Sequence, residues 1–269
     1  MPSRSPTVAS PLLLPGQPPL PLRLHGARQG RGPTPVVLHL HGGAFIAGDL
    51  DSGECFAQLL AKAGAVVVSV AYPLAPAHPF PQAAEAAYAA LAWLWGQRGT
   101  LGGTRAPLFV AGEEAGGNLA AAVSAMARDR AEVELAGQIL VAPMLDPCTA
   151  MPSQREAAGD EVHCRWSLGW SQYLRCPMDA EHPYAVPALA QRLAGLPPAL
   201  VLAGEDDPMR DEAVAYAKRL EQAGIAVQTF LIPATGWPES LEAPPHPCPC
   251  EATVVEHLRA FLNAPEPAS

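Results

Sequence analysis

From Val36 onward, short uninterrupted apolar runs alternate with longer helical segments, and this rhythm leaves the chain very few architectures. The runs are Val36–Leu40, Ala65–Ala71, Leu108–Ala111, Gly137–Ala142, Ala199–Ala203 and Val227–Ile232. Helices are predicted between them at Gly53–Ala63, Gln82–Trp95, Gly117–Arg128 and Arg210–Ala223, with a last one at Ala252–Leu262. Strands apolar on both faces belong in a parallel sheet covered on both sides. Their alternation with helices means a doubly wound α/β fold. The expected organisation is a Pro-rich segment 1–35, carrying one strand at Leu20–His25, followed by a single α/β domain over 36–269. One stretch, Cys148–Pro187, breaks the rhythm and carries Trp166, Trp170, Tyr173 and Tyr184. It reads either as a cap-like insertion of short helices over the carboxyl edge of the sheet or as a long connector packed on its own aromatics.

Composition narrows the partners. The 17 basic and 26 acidic residues give a net charge of −9, which argues against nucleic acid and anionic membranes. No apolar run is long enough for a membrane helix, and the Pro-broken start is too short for a signal peptide, so a cytoplasmic protein is expected. Six scattered cysteines do not read as a disulfide framework. His246, Cys248 and Cys250 are interleaved with Pro247 and Pro249, a spacing that suits a stiff loop better than zinc, and no metal is expected. There is no G-x-G-x-x-G followed by an acidic residue and no Walker loop, so no cofactor is expected either. The partner expected is a small-molecule ligand or substrate, and homo-oligomerisation is left open.

The chemistry concentrates where Leu108–Ala111 runs into Gly112-Glu113-Glu114-Ala115-Gly116 and a helix rich in small residues. Strand, tight turn and helix with flanking glycines make the setting of a nucleophile elbow, G-x-S-x-G. Glycines are needed there because the turn is pressed against its neighbours. A glutamate, Glu114, stands where the pattern calls for serine.

Three further segments follow the order of a known family: His41-Gly42-Gly43-Ala44-Phe45, the run from Tyr72 to Pro81, and Asp207-Pro208-Met209-Arg210-Asp211. With the elbow they make the chain, from about Val36 to its end, resemble the bacterial hormone-sensitive-lipase-like (family IV) esterases, a group of α/β-hydrolases. The resemblance implies an oxyanion hole from the N–H groups of Gly43, Ala44 and Ala115, a backbone role that tolerates alanine if φ is negative. It implies Asp207 as the buried acid, and it matches Glu113 to an acidic position of the elbow motif. An ungapped count from Gly224 through Pro233 puts the family's histidine at Trp237. The usual N-terminal cap helices look largely missing, which implies a more open or differently covered pocket. His41 is expected to fix its loop by hydrogen bonds, with Gly42, Tyr72, Phe80 and Glu113 lining or supporting the pocket.

With serine and histidine both replaced, the residues point away from Ser-His-Asp chemistry. Glu114 as acid/base, Trp237 as an N–H donor and Asp207 as a buried anion are expected to enolise, eliminate, cyclise or decarboxylate a carbonyl compound. The alternatives are an inactive relative that binds a ligand or protein, and a residual hydrolase using a carboxylate.

Overall fold

The computed structural model describes residues 7–13, 19–148, 151–156, 160–233 and 251–264. An eight-stranded sheet runs in the order β1-β2-β4-β3-β5-β6-β7-β8. The strands are β1 (Thr7–Leu12), β2 (Leu20–His25), β3 (Val36–Leu40), β4 (Val66–Val70), β5 (Leu108–Glu113), β6 (Gly137–Val141), β7 (Ala199–Gly204) and β8 (Val227–Ile232). From β4 to β8 every pairing is parallel, while β1–β2 and β2–β4 are antiparallel. The doubly wound fold class read from the sequence is the one observed. Strand β1 has no counterpart in that reading, because Pro11 and two polar residues hide the pattern and its register comes from pairing with β2.

Among the described residues, one face is covered by α1 (Glu54–Lys62) and α8 (Glu251–Leu262). Phe56, Leu60, Val254 and Leu258 pack there on Val37, Val67 and Ile139. The other face carries α2 (Gln82–Gly102), α3 (Ala115–Arg130), α5 (Asp160–Tyr173) and α7 (Arg210–Gln222). Helix α2 runs to Gly102, through Gly96 and Gly99 and well past the predicted end at Trp95, since Leu101 and Gly102 still find packing partners. Within the stretch 148–187 lie α4 (Pro152–Glu156), α5, α6 (Pro177–Ala180) and a 3-10 turn at Pro187–Leu189.

The crossing of β5 into α3 explains the elbow glycines. Glu114 sits at φ 53° and ψ −114°, a strained backbone for a side chain with a Cβ. The turn persists because both flanks are locked: a Cβ on Gly112 would press on the Gly116 carbonyl, and one on Gly116 on the Leu40 carbonyl. Neither obstacle is a flexible side chain. Gly116→Ala is therefore expected to cost about 3 kcal/mol or more of stability by overpacking. Urea unfolding of the variant checks this, and a loss below about 1 kcal/mol contradicts so tight a turn.

Candidate functional site

The carbonyl oxygen of Glu114 accepts the N–H of Met144 at 2.9 Å, and its own N–H donates to Val141 at 2.9 Å, so the elbow is tied to the end of β6. From that anchorage the side chain turns toward the loop that follows β3. Its Oε2 accepts the N–H of Gly43 at 2.5 Å and that of Ala44 at 3.2 Å. Its Oε1 accepts the indole N–H of Trp166 at 2.6 Å. Nη2 of Arg165 lies 3.4 Å from both oxygens. An ionised carboxylate accepts at both oxygens and suits this ring of donors, and the start of α3 below adds its dipole. The donor pair of the expected oxyanion hole is thus filled by a carboxylate of the protein itself.

The hole is held open by its own loop. Gly43 has φ 114°, and a Cβ there would drive into the Ala47 carbonyl. Ala44 has φ 50°. The condition of negative φ for an alanine at this place fails. The left-handed backbone costs about 1–2 kcal/mol and is carried by the surrounding contacts. Helix α5 is one of them, because Gly169 lies against Ala44 so closely that a Cβ would meet the Ala44 carbonyl. Ala115 opens α3, and the carboxylate is met by Gly43, Ala44, Trp166 and Arg165.

Glu113 works beneath the loop rather than in the cleft. Its Oε2 lies 2.9 Å from Nε2 of His39, whose Nδ1 meets Ser69 at 2.8 Å, and its Oε1 accepts the N–H of Gly42 at 3.2 Å. Gly42 itself passes Glu114 so closely that a Cβ would stand 2.9 Å from Oε2. His41 Nδ1 is 2.7 Å from the Gly42 carbonyl, which makes Nδ1 the protonated nitrogen. Burial lowers the His41 pKa, against an opposing pull from that carbonyl. Tyr72 stacks on the ring and donates to the His41 carbonyl at 2.7 Å. Both are loop supports. Phe80 packs edge-on against Tyr173 and hands its N–H to the Tyr173 carbonyl at 2.8 Å, so it braces α5.

Asp207, in the turn after β7, is 1% exposed. Oδ1 accepts the Met209 N–H at 2.8 Å, and Oδ2 has no partner among the described residues. Burial pushes its pKa up to about 7, with the charges of Asp206 and Glu114 adding to the rise. A carboxyl whose folded pKa is raised above 3.8 binds a proton in the folded state that the unfolded chain has already released. Stability therefore falls as pH climbs from about 4 to about 7 and stays low above. Asp207→Asn is expected to flatten that fall, by at most about 4 kcal/mol above pH 7. Denaturant midpoints at pH 5 and pH 8 decide it: a variant with the wild-type pH slope contradicts the raised pKa.

Trp237 lies outside the described residues, as do His246, Cys248 and Cys250. Among the described residues, the indole that meets Glu114 is that of Trp166. Sequence reading groups Trp166 with the aromatics of the stretch 148–187 and gives Arg165 no role. Neither belongs to a motif, and only the return of α5 over the sheet brings them to the elbow. Among the described residues no group of three His, Cys, Asp or Glu is arranged to hold a metal ion, and no helix is long and apolar enough to cross a membrane.

Comparison with known proteins fits this geometry. The alpha/beta hydrolase fold family matches residues 37–236. A carboxylic ester hydrolase of Mycobacterium tuberculosis, LipN, is 37% identical over 76% of this chain and 56% of its own length. An arylesterase of Saccharolobus solfataricus is 33% identical over 79% of the chain and 70% of its own. Among solved structures, one titled bacterial heroin esterase superposes with a TM-score of 0.84 at 33% identity, covering 97% of this chain and 85% of that one. The chain thus spans little more than half the length of LipN. These similarities correct the expected activity. Relatives 33–38% identical over most of the chain are named for ester hydrolysis, which overturns both the non-hydrolytic catalyst and the inactive relative. The chain belongs to the alpha/beta hydrolase fold family, in its hormone-sensitive-lipase-like esterase group.

Proposed function

We propose that this protein hydrolyses carboxylic esters with the Glu114 carboxylate, rather than a serine, as the group that activates the attacking oxygen. The observation that carries the reading is the carboxylate seated on the Gly43 and Ala44 N–H groups at 2.5 and 3.2 Å, at the elbow of an esterase-like fold. An ester carbonyl oxygen is the ligand those donors suit, and it takes the hole by displacing Oε2. Glu114 then stays tethered through Oε1 to Trp166, beside the carbonyl carbon. There it removes a proton from water as the water oxygen bonds to that carbon. Collapse of the tetrahedral intermediate breaks the C–O bond to the alcohol, and the proton held by Glu114 passes to the departing alkoxide. Acid and alcohol leave, and the ionised carboxylate returns to the hole.

Water is the nucleophile because glutamate is one methylene longer than the aspartate that serves as a covalent nucleophile at such turns, and its oxygens overreach that line. Asp207 acts behind it: once ionised, its charge makes Glu114 the stronger base. Turnover of p-nitrophenyl butyrate in heavy-oxygen water, followed by mass spectrometry of the peptide holding Glu114, tests the reading. Expected are turnover above the buffer rate and an unlabelled glutamate. No turnover refutes the hydrolase, and label in Glu114 refutes water as the direct nucleophile.

A further inference from the structure

Helix α7 buries a carboxyl group that no step of the hydrolysis uses. Glu212 is 3% exposed, and among the described residues only N–H groups meet it, with no cation beside them. Burial pushes its pKa up to about 8, with the charge of Asp146 adding to the rise. A neutral residue of the same shape is easier to bury, so the acid calls for a physical reason. Its bonds supply one. Oε2 accepts the N–H of Leu145 at 2.7 Å and that of Asp146 at 3.3 Å, while Oε1 accepts the amide of Gln154 at 3.0 Å. Leu145 and Asp146 follow directly on Met144, which donates to the Glu114 carbonyl and accepts the Asn118 amide at 2.9 Å. The other arm runs into α4. There the Gln154 amide also reaches the sulfur of Met209 at 3.7 Å, and Met209 gives its N–H to Asp207. Ser153 beside it donates to the Pro208 carbonyl at 2.8 Å. One side chain thus joins the turn under Glu114 to the turn that presents Asp207.

We propose that Glu212 is a positioning residue for the site: its two oxygens hold the elbow and the Asp207 turn at a fixed separation, through Leu145 on one side and Gln154 on the other. The inference deepens the hydrolase reading and rests on it for the reaction that is positioned. Direction matters in this bridge. Gln154 Oε1 accepts the Met151 N–H at 3.0 Å, which turns its NH₂ group toward Glu212. An amide at 212 therefore sets a donor against a donor on one side or the other. Exchanging acid and amide, Glu212→Gln with Gln154→Glu, restores each of these pairings at unchanged charge, save the weak contact to the Met209 sulfur.

Steady-state hydrolysis of p-nitrophenyl butyrate above pH 8, where Glu212 is ionised, is compared across wild type, both single variants and the exchanged pair. Glu212→Gln is expected to lower kcat about tenfold or more without raising KM, since a misplaced base loses rate and not ester binding. The exchanged pair should recover most of that loss, so the single effects do not add. A Glu212→Gln protein that is folded by its melting temperature yet keeps the wild-type kcat overturns the proposal. So does an exchanged pair no faster than Glu212→Gln. If Glu212→Gln does not fold, Gln154→Met, which cuts only the arm toward Met209, takes its place, and an unchanged kcat there overturns the proposal equally. Hydrogen exchange separates the bridge from the hydrolase reading. The Met144 amide should exchange at least about tenfold faster in Glu212→Gln than in wild type, and slow again in the exchanged pair. That pattern in a protein that turns over no ester upholds the bridge and refutes the hydrolase reading instead, whereas unchanged exchange overturns the bridge.

Discussion

Glu114→Gln is expected to slow hydrolysis of p-nitrophenyl butyrate by about 10²–10⁴-fold, the range that a positioned general base supplies. The amide has the size of the acid and cannot take the proton from water. It also meets the hole badly. Only one of its two terminal atoms accepts, so either the Gly43 and Ala44 donors or the Trp166 donor faces an NH₂ group. Substrate should therefore displace the Gln side chain more easily than the carboxylate, lowering KM while kcat falls. That split distinguishes a lost base from a collapsed site, and the melting temperature shows whether the elbow is still folded. Glu114→Ala makes the sharper contrast, since it empties the hole altogether. If either variant matches or exceeds wild type in kcat, Glu114 obstructs the site and does not act as its base.

The second large effect runs the other way. Glu114→Ser combined with Trp237→His is expected to exceed Glu114→Ser alone by about 10³-fold or more, because nucleophile and base act as a unit. The elbow glycines, the strained turn and the Gly43–Ala44 donors are in place to receive a serine. The buried acid is ready as well. Asp207 Oδ2 lacks a partner among the described residues, and an imidazole N–H would both fill that gap and hold the carboxylate ionised. Burst kinetics with p-nitrophenyl acetate would reveal an acyl-enzyme. A folded double variant no faster than Glu114→Ser would mean that position 237 does not reach Asp207.

Much of this was legible in the chain. The buried strands β3 to β7 announce themselves because each is a short run of apolar, often β-branched residues, and the helices between them carry the matching faces. Gly112, Gly116 and Gly43 mark close approaches of backbone to backbone, which leave a trace in sequence because a side chain cannot replace the missing one. That residue 114 projects from the sheet edge toward the loop after β3 also follows from the turn alone, but which donors its carboxylate takes does not.

Other features belong to tertiary structure only. The stretch Thr7–Leu12, interrupted by Pro11, becomes a strand because β2 offers an edge to it, and no local preference foretells that. The neighbours of Glu114 from α5 are 51 and 52 residues away in the chain, and their meeting depends on how the stretch after β6 folds back. Asp207 reads in sequence as a buried anion, and only its surroundings in the fold show that burial raises its pKa to about 7. The activity itself was misjudged from two replaced residues, because a missing serine and histidine say what a site has lost and nothing of what its remaining donors hold. Local patterns determined the sheet, the elbow and the donor loop, where each residue answers to its nearest backbone. Only packing between distant segments decided which charges share the cleft, since those energies depend on separation and solvent in space and not on order along the chain.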